Sequence, residues 1–351
     1  MLLKELSEAA GISGQEEAVR DLILEAVTPH VDEIRLDALG NVLVWKHGTD
    51  SENRPRVMLD AHMDEIGFMV TGYDSDGMLR FDSVGGIDDR ILPGLRVRVG
   101  SHDDWRPGVV LWAPIHKNRD QNVTKKDKLR IDIGAGSKAD AKGKAPLGTM
   151  IVFDMTFGKL GRLVRGKALD DRAGCAMLLD VLAGGPYPCD VVAAFTTQEE
   201  VGLRGAEVAA RALAPDVAFA LETTTANDLP DPNADPDEML TTPNPTCRVG
   251  AGPVITLMDR SVVVPPKLVA FIGETAEANG LPYQFKTRRG GGNDAGAIQL
   301  QNGGIPAATI SLPARYIHSP AALIDERDYE HTVALMQHLL NKIQPTDYRA
   351  D

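Results

Sequence analysis

Residues 57–67 read VMLDAHMDEIG. Val57, Met58 and Leu59 form a continuous apolar run, as in a strand covered on both faces, and the chain then presents His62, Asp64 and Glu65 in quick succession. A strand that ends this way is either a solvated loop or the first piece of a site. Beyond Gly67 the character of the chain changes. From Phe68 to Val164, short runs such as GMLRF, LRVRV, GVVLWAP, LRIDIG and MIVFDM alternate with Gly, Pro and Asp turns, with one brief helical candidate at SKADAKG. That pattern predicts a small all-β module, a barrel or a sandwich.

Outward from this point the signals are mixed helix and strand. On the N-terminal side, SGQEEAVRDLILEAV carries Ser13 and Glu16 at capping-box spacing and an apolar stripe at Val19, Leu22, Ile23 and Val27, which predicts a helix packed on a sheet. EIRLD and NVLVW read as strands joined by a turn at Leu39–Asn41. After Val164 come a helix at DRAGCAMLLDVLAG, strands at DVVAAFTT and DVAFALETT, a helix at PPKLVAFIGETAEANG, a strand at PAATISLP and a closing helix at ERDYEHTVALMQHLLNKI. Strands alternating with helices predict an α/β fold with a helix-covered, mixed, largely parallel sheet. The expected architecture is one α/β domain, residues 1–67 and 165–351, interrupted by a β insertion at 68–164. A chain of 351 residues has room for both, since single cores stop growing at roughly 250–300 residues.

Composition narrows the partners. A net charge of −13 disfavours nucleic acid and anionic membranes, both polyanions that bind clustered Lys and Arg. No run of about 18 apolar residues is present, and Glu5 and Glu8 interrupt MLLKELSEAAG where a secretory signal needs an apolar stretch, so a cytoplasmic location is expected. Cys175, Cys189 and Cys247 are widely spaced and read as reduced packing residues. The acidic, Pro-rich stretch at 229–239 reads as an exposed loop.

The polar motifs share one position relative to their elements. His62 and Asp64 follow one strand, Asp170 and Asp171 precede a helix, Gln198, Glu199 and Glu200 follow a strand, Glu222 ends another, and His318 follows ISLPARYI. Parallel strands gather such ends in one crevice. Each motif has an ordinary reading: a strand-end histidine, a solvated Glu-Glu turn, an Asp-Asp helix cap, a turn histidine. Their joint placement favours a site. Two imidazoles and several carboxylates without cysteine suit borderline divalent ions, and the set matches two ions sharing a bridging carboxylate. Asp64, two residues beyond His62, is placed to accept the other ring N–H. Neighbours in an extended chain face opposite ways, so Glu199 and Glu200 are expected to divide metal binding and general-base work. His30, His47, His102, His331 and His338 lack such partners and read as surface or packing residues. RRGGGNDAG at 288–296 lacks the Gly-Lys-Ser/Thr ending of a phosphate loop and reads as an active-site loop of close backbone approach. A glycosidase with two carboxylates explains neither His62 nor His318. A metal-binding scaffold without catalysis stays open.

AHMDEIGFMV, GKALDDRAG, TTQEEVGLRGA, ALETTTANDLP, GGNDAGA and ARYIHSP, in this order over nearly the whole chain, resemble the M42 metalloaminopeptidases, which include glutamyl, deblocking and tetrahedral TET enzymes. The resemblance implies a zinc-peptidase-like fold that removes N-terminal residues from short peptides with a free N-terminus. It implies two divalent ions per subunit, zinc first with cobalt or manganese as alternatives. His62 and Glu222 then bind one ion, Glu200 and His318 the other, and Asp170 bridges them. Glu199 corresponds to the general base acting on a metal-activated bridging water, Asp64 to the His-orienting carboxylate, and the Asp170–Asp171 bond to the family's cis peptide. The β-barrel insertion corresponds to a dimerisation domain, which implies a homo-oligomer built from dimers, up to a dodecamer. Glu222 stands where the family often has Asp, and Asn293 where many members have Thr. Acidic, basic and apolar specificities all occur on this scaffold, so the resemblance leaves the preferred first residue open.

Overall fold

The structure is a computed structural model describing residues 2–50, 54–101, 104–112, 122–229, 247–287 and 290–349. His102, the acidic stretch beyond Leu229, and Arg288 and Arg289 of the glycine-rich motif lie outside the described residues. Helices α1 (Leu3–Glu8) and α2 (Glu17–Val27) precede strands β1 (Glu33–Leu36), β2 (Val42–Lys46) and β3 (Arg56–His62). Next come β4 (Gly67–Tyr73), β5 (Leu79–Val84), β6 (Arg96–Ser101), β7 (Asp104–Val110), β8 (Ile131–Asp132), α3 (Lys138–Lys144) and β9 (Met150–Phe153). Short strands β10 (Gly158–Leu160) and β11 (Leu163–Gly166) lead to α4 (Leu169–Ala183), β12 (Asp190–Thr196), α5 (Arg204–Leu213) and β13 (Val217–Thr225). The chain ends with β14 (Val254–Thr256), α6 (Pro266–Ala278), β15 (Gln284–Lys286), α7 (Asp294–Ile298), β16 (Ala307–Ala314), β17 (Ala322–Asp325) and α8 (Glu326–Leu340).

The main sheet has eight strands in the order β1-β2-β12-β3-β13-β16-β14-β15. It is mixed: β12, β3, β13 and β16 run parallel in a central block, and β1, β2 and β14 add antiparallel neighbours. β3 lies between β12 and β13, which explains its continuous apolar reading. Val57, Leu59 and Ala61 face the core shared with α4, while Met58 faces the opposite core built on Ala206, Ala209 and Ala210 of α5. Each such fully buried Val, Leu or Met contributes about 1.5–3 kcal/mol of apolar transfer. α4 is buried on nearly every side, and its stripe-free sequence reflects that position.

Strands β4-β5-β8-β7-β6-β9 close a barrel, which resolves the barrel-or-sandwich alternative. Its centre is aromatic. Phe68 stands edge-on to Phe81 and Phe153, with ring centroids 5.2 Å and 5.8 Å apart. β10, β11 and β17 form a separate three-stranded sheet that ties the return of the chain to the segment beyond β16. The three cysteines are buried and free, as the sequence predicts. Among the described residues no helix is long and apolar enough to cross a membrane.

Two expectations about where elements begin and end need correction. The helix at SGQEEAVRDLILEAV begins at Glu17, and no capping box forms, because Ser13 and Glu16 are drawn toward the site instead. Glu222 lies within β13 rather than at its end, since the strand runs on to Thr225.

Candidate active site

The carboxyl ends of β3, β12 and β13, the start of α4 and the loop after β16 converge. His62 ends β3 with its Nε2 3.6 Å from Asp170 Oδ1 and 4.0 Å from Glu222 Oε2. His318 Nε2 lies 3.3 Å from Asp170 Oδ2 and 3.4 Å from Glu200 Oε1. The two oxygens of Asp170 thus face different imidazoles. Two triads, His62-Asp170-Glu222 and Asp170-Glu200-His318, keep their ligand atoms within 4.8 Å, and the triple His62-Glu199-Glu200 meets the same limit. Glu199 Oε2 stands 3.9 Å from His62 Nε2.

Local backbone explains the convergence. Asp170 and Asp171 sit in a kink at the start of α4, with non-helical dihedrals and a cis peptide bond between them. Asp171 takes the capping role, its Oδ1 accepting from Gly174 N at 3.1 Å. Glycine at 174 leaves room for this cap, since a Cβ there would displace the Asp171 carboxylate from its present position. Asp170 is left free to face the imidazoles. Glu199 and Glu200 are not in an extended segment as expected; they lie in a turn that follows left-handed Gln198 (φ 59°). That turn, rather than strand alternation, sends one carboxylate toward His62 and the other toward His318.

A second layer holds these groups. His62 Nδ1 is 3.0 Å from the Asp64 main-chain oxygen and 3.4 Å from its carboxylate Oδ1. The Asp64 carboxylate accepts from Glu199 N (3.0 Å), Glu200 N (3.2 Å) and Ser13 Oγ (2.6 Å). It therefore organises the Glu-Glu turn as well as the histidine. Glu65, the third polar residue of the opening motif, turns away and pairs with buried Lys167 at 2.6 Å. His318 Nδ1 meets the Gly86 oxygen at 2.8 Å, so the connection between barrel strands β5 and β6 orients a residue of the main domain. Sequence reading missed Gly86 and Thr196, took Ser13 and Glu16 only as a helix cap, and placed Asp294 in a site loop without giving it a role. Thr196 Oγ1 donates to Asp294 Oδ2 at 2.9 Å, and Asp294 lies buried beside Asp60. Only the alternation of β3, which puts Asp60 on the face of His62, hinted at such support.

Electrostatics follow from crowding. Burial, then repulsion from Asp171, raises the Glu222 carboxyl well above its usual range. Burial raises Glu199 likewise, although His62 opposes it, and raises Glu200 to about 7. Burial disfavours charged His318, yet Asp170 and Glu200 outweigh it and lift the imidazole to about 10. Asp170 is lowered against its burial by hydrogen bonds to both histidines. Buried carboxylates at these separations repel one another until protons or cations neutralise them. The donor set fits two divalent ions by count, by chemistry and by the shared Asp170.

Comparison with known proteins agrees with this geometry. The family model described as M42 glutamyl aminopeptidase matches residues 40–335. The chain belongs to the M42 peptidase family. Membership makes it a hydrolase of the aminopeptidase kind. This M42 peptidase is 33% identical to the lysyl aminopeptidase of Pyrococcus furiosus over 99% of its own length and 98% of that relative. Among solved structures it resembles the Pyrococcus horikoshii TET1 peptidase, described as assembling into a tetrahedron or a large octahedral shell. That match has 34% identity and a TM-score of 0.85, and covers 97% of this chain and 98% of the other. It also resembles a Thermotoga maritima protein described as an endoglucanase, with 37% identity and a TM-score of 0.78 over 97% of each chain.

Proposed function

We propose that this M42 peptidase removes N-terminal residues from short peptides by metal-assisted hydrolysis, with Glu199 as general base. The observation that carries the reading is the pair of triads sharing Asp170. His62 and Glu222 would hold one divalent ion, Glu200 and His318 a second, and Asp170 would touch both; zinc, cobalt and manganese all suit this donor set. Such ions, when bound, lower the pKa of water and polarise a carbonyl.

The chain's own groups do the rest. Among the described residues that form the three His and carboxylate groups, Glu199 is the one carboxylate outside the two Asp170 triads, which leaves it to take a proton from the attacking water and return it to the leaving amine. Asp64 fixes that carboxylate through the Glu199 amide and, on its other side, faces His62. We place pairing between copies on the barrel, residues 68–164, as the route to a homo-oligomer.

The test is hydrolysis of paired short peptides, free or N-acetylated at the amino end, before chelation, after it, and after zinc, cobalt or manganese is restored. Stepwise cleavage of only the free peptide, lost and regained with the ion, is expected. Cleavage of cello-oligosaccharides that survives chelation, with both peptides intact, would establish the endoglucanase reading instead.

A further inference from the structure

We propose that Lys286 selects an acidic side chain on the first residue of the substrate, an inference that rests on the aminopeptidase reading above. The cavity holding the His62–His318 cluster has a volume of about 650 Å³ and continues past the cluster to Thr224, Lys286 and the glycine loop at Gly291 and Gly292. Lys286 is the one lysine or arginine among the described residues that line it. Its Nζ donates to Thr224 Oγ1 at 2.8 Å, which satisfies one of three donors. Among the described residues no ion pair to this amine is present, although four carboxylates line the same cavity.

Placement matches an N-terminal glutamate or aspartate. Thr224 lies two residues beyond Glu222 on β13, about 6–7 Å along the strand. A substrate whose first carbonyl sits at the cluster extends its own carboxylate about 3–5 Å from its Cα, toward the amine that Thr224 holds. The loop leaves that amine its space. A Cβ at Gly290 would stand 3.0 Å from Lys286 Nζ, and the loop is anchored where Asn293 Nδ2 donates to Asp259 Oδ2 at 3.2 Å and Asn293 Oδ1 accepts from Thr309 Oγ1 at 3.0 Å. A basic first residue would bring like charge against Lys286 inside a confined site. Family membership does not make this choice, because the family model is named for glutamyl and a relative for lysyl activity. The alternative source of a carboxylate is the C-terminus of a very short peptide.

The experiment compares kcat/KM for Glu-, Leu- and Lys-p-nitroanilide, which carry no C-terminal carboxylate, with ions restored. Wild type, Lys286→Met, Lys286→Arg and Lys286→Glu are measured in parallel. Expected are a wild-type preference for Glu and a fall of roughly 10- to 100-fold in the Glu-to-Leu ratio for K286M, the worth of a hydrogen bond to a charged group. The ratio should survive in K286R, which shows that lost charge rather than lost folding is read, and the Glu-to-Lys order should reverse in K286E. A wild type that prefers Leu or Lys, or a Glu-to-Leu ratio unmoved in K286M, overturns the assignment. So does a defect confined to Leu-Leu against its amide, which would give Lys286 to the peptide C-terminus. Hydrolysis of Leu-p-nitroanilide without Glu preference sinks this inference alone; hydrolysis of none of the three sinks the aminopeptidase reading beneath it.

Discussion

At the residue scale, Glu199 and Glu200 are chemically identical neighbours with different surroundings. Asp64 accepts both main-chain amides, Glu200 faces His318, and Glu199 faces His62 without entering either Asp170 triad. Replacing Glu199 with Gln should leave the bound ions at wild-type stoichiometry and cut kcat by roughly 10²–10⁴, the usual worth of a general base. Asp170→Asn should instead lose ions along with rate, since one side chain serves both triads. Metal content per chain and turnover on one free peptide check both. Near-normal turnover in E199Q would free Glu199 of the role, and full occupancy in D170N would free Asp170. The clustering of these residues was legible because each ends or follows a strand, or starts a helix, at the same crevice and its type announces its chemistry. Ser13 acts through a neighbour, and nothing in its type distinguishes it from any other loop serine.

At the element scale, the start of α2 shows how a local rule yields to a distant demand. Ser13 and Glu16 have capping-box spacing, yet Ser13 Oγ reaches Asp64, and Glu16 Oε1 accepts from Gly14 N at 2.7 Å and Gln198 N at 3.2 Å. Buried Glu16 is raised from 4.5 to about 7, first by burial and further by the charge of Asp64. Linkage sets the sign: between about pH 4.5 and 7 the folded chain keeps this proton while the unfolded chain has lost it. Stability contributed by Glu16 is therefore present at the acidic end of that window and lost as pH rises through 7. Glu16→Gln keeps an acceptor for both amides and should flatten the decline. Urea unfolding of both proteins at pH 5 and pH 7.5 measures it, and parallel declines would remove Glu16 as the cause. Long elements were readable in the sequence, α6 and α8 by their apolar stripes and α4, β3 and β16 by their continuous apolar runs. Helix α5 was passed over although its pattern is amphipathic, with buried Ala206, Ala209, Ala210 and Leu213 opposite exposed Arg204, Glu207 and Arg211. Helix α7 is five residues long, too short for a period to show.

At the scale of the whole molecule, the site is shared by parts that the sequence separates widely. The barrel supplies the Gly86 oxygen against His318, the first loop supplies Ser13 and Glu16, and the main sheet supplies the rest. This concentration of carboxylates opposes folding by mutual repulsion, and neutralising it with bound cations favours the folded state alone, since unfolding disperses the donors. Ion binding should therefore appear as stability. At a free ion concentration about 100-fold above Kd, one site contributes about 2.7 kcal/mol. Chelator-treated chain should unfold at lower temperature than the same chain with zinc, cobalt or manganese restored, at fixed protein concentration so that assembly does not add its own shift. On the proposed assignment D170N should lose most of the rise, because Asp170 would belong to both donor triads, while E199Q should keep it. An equal rise in D170N would mean that the stabilising ions sit elsewhere in the molecule, and the carboxylates gathered at the ends of β3, β12 and β13 would need another source of neutralisation.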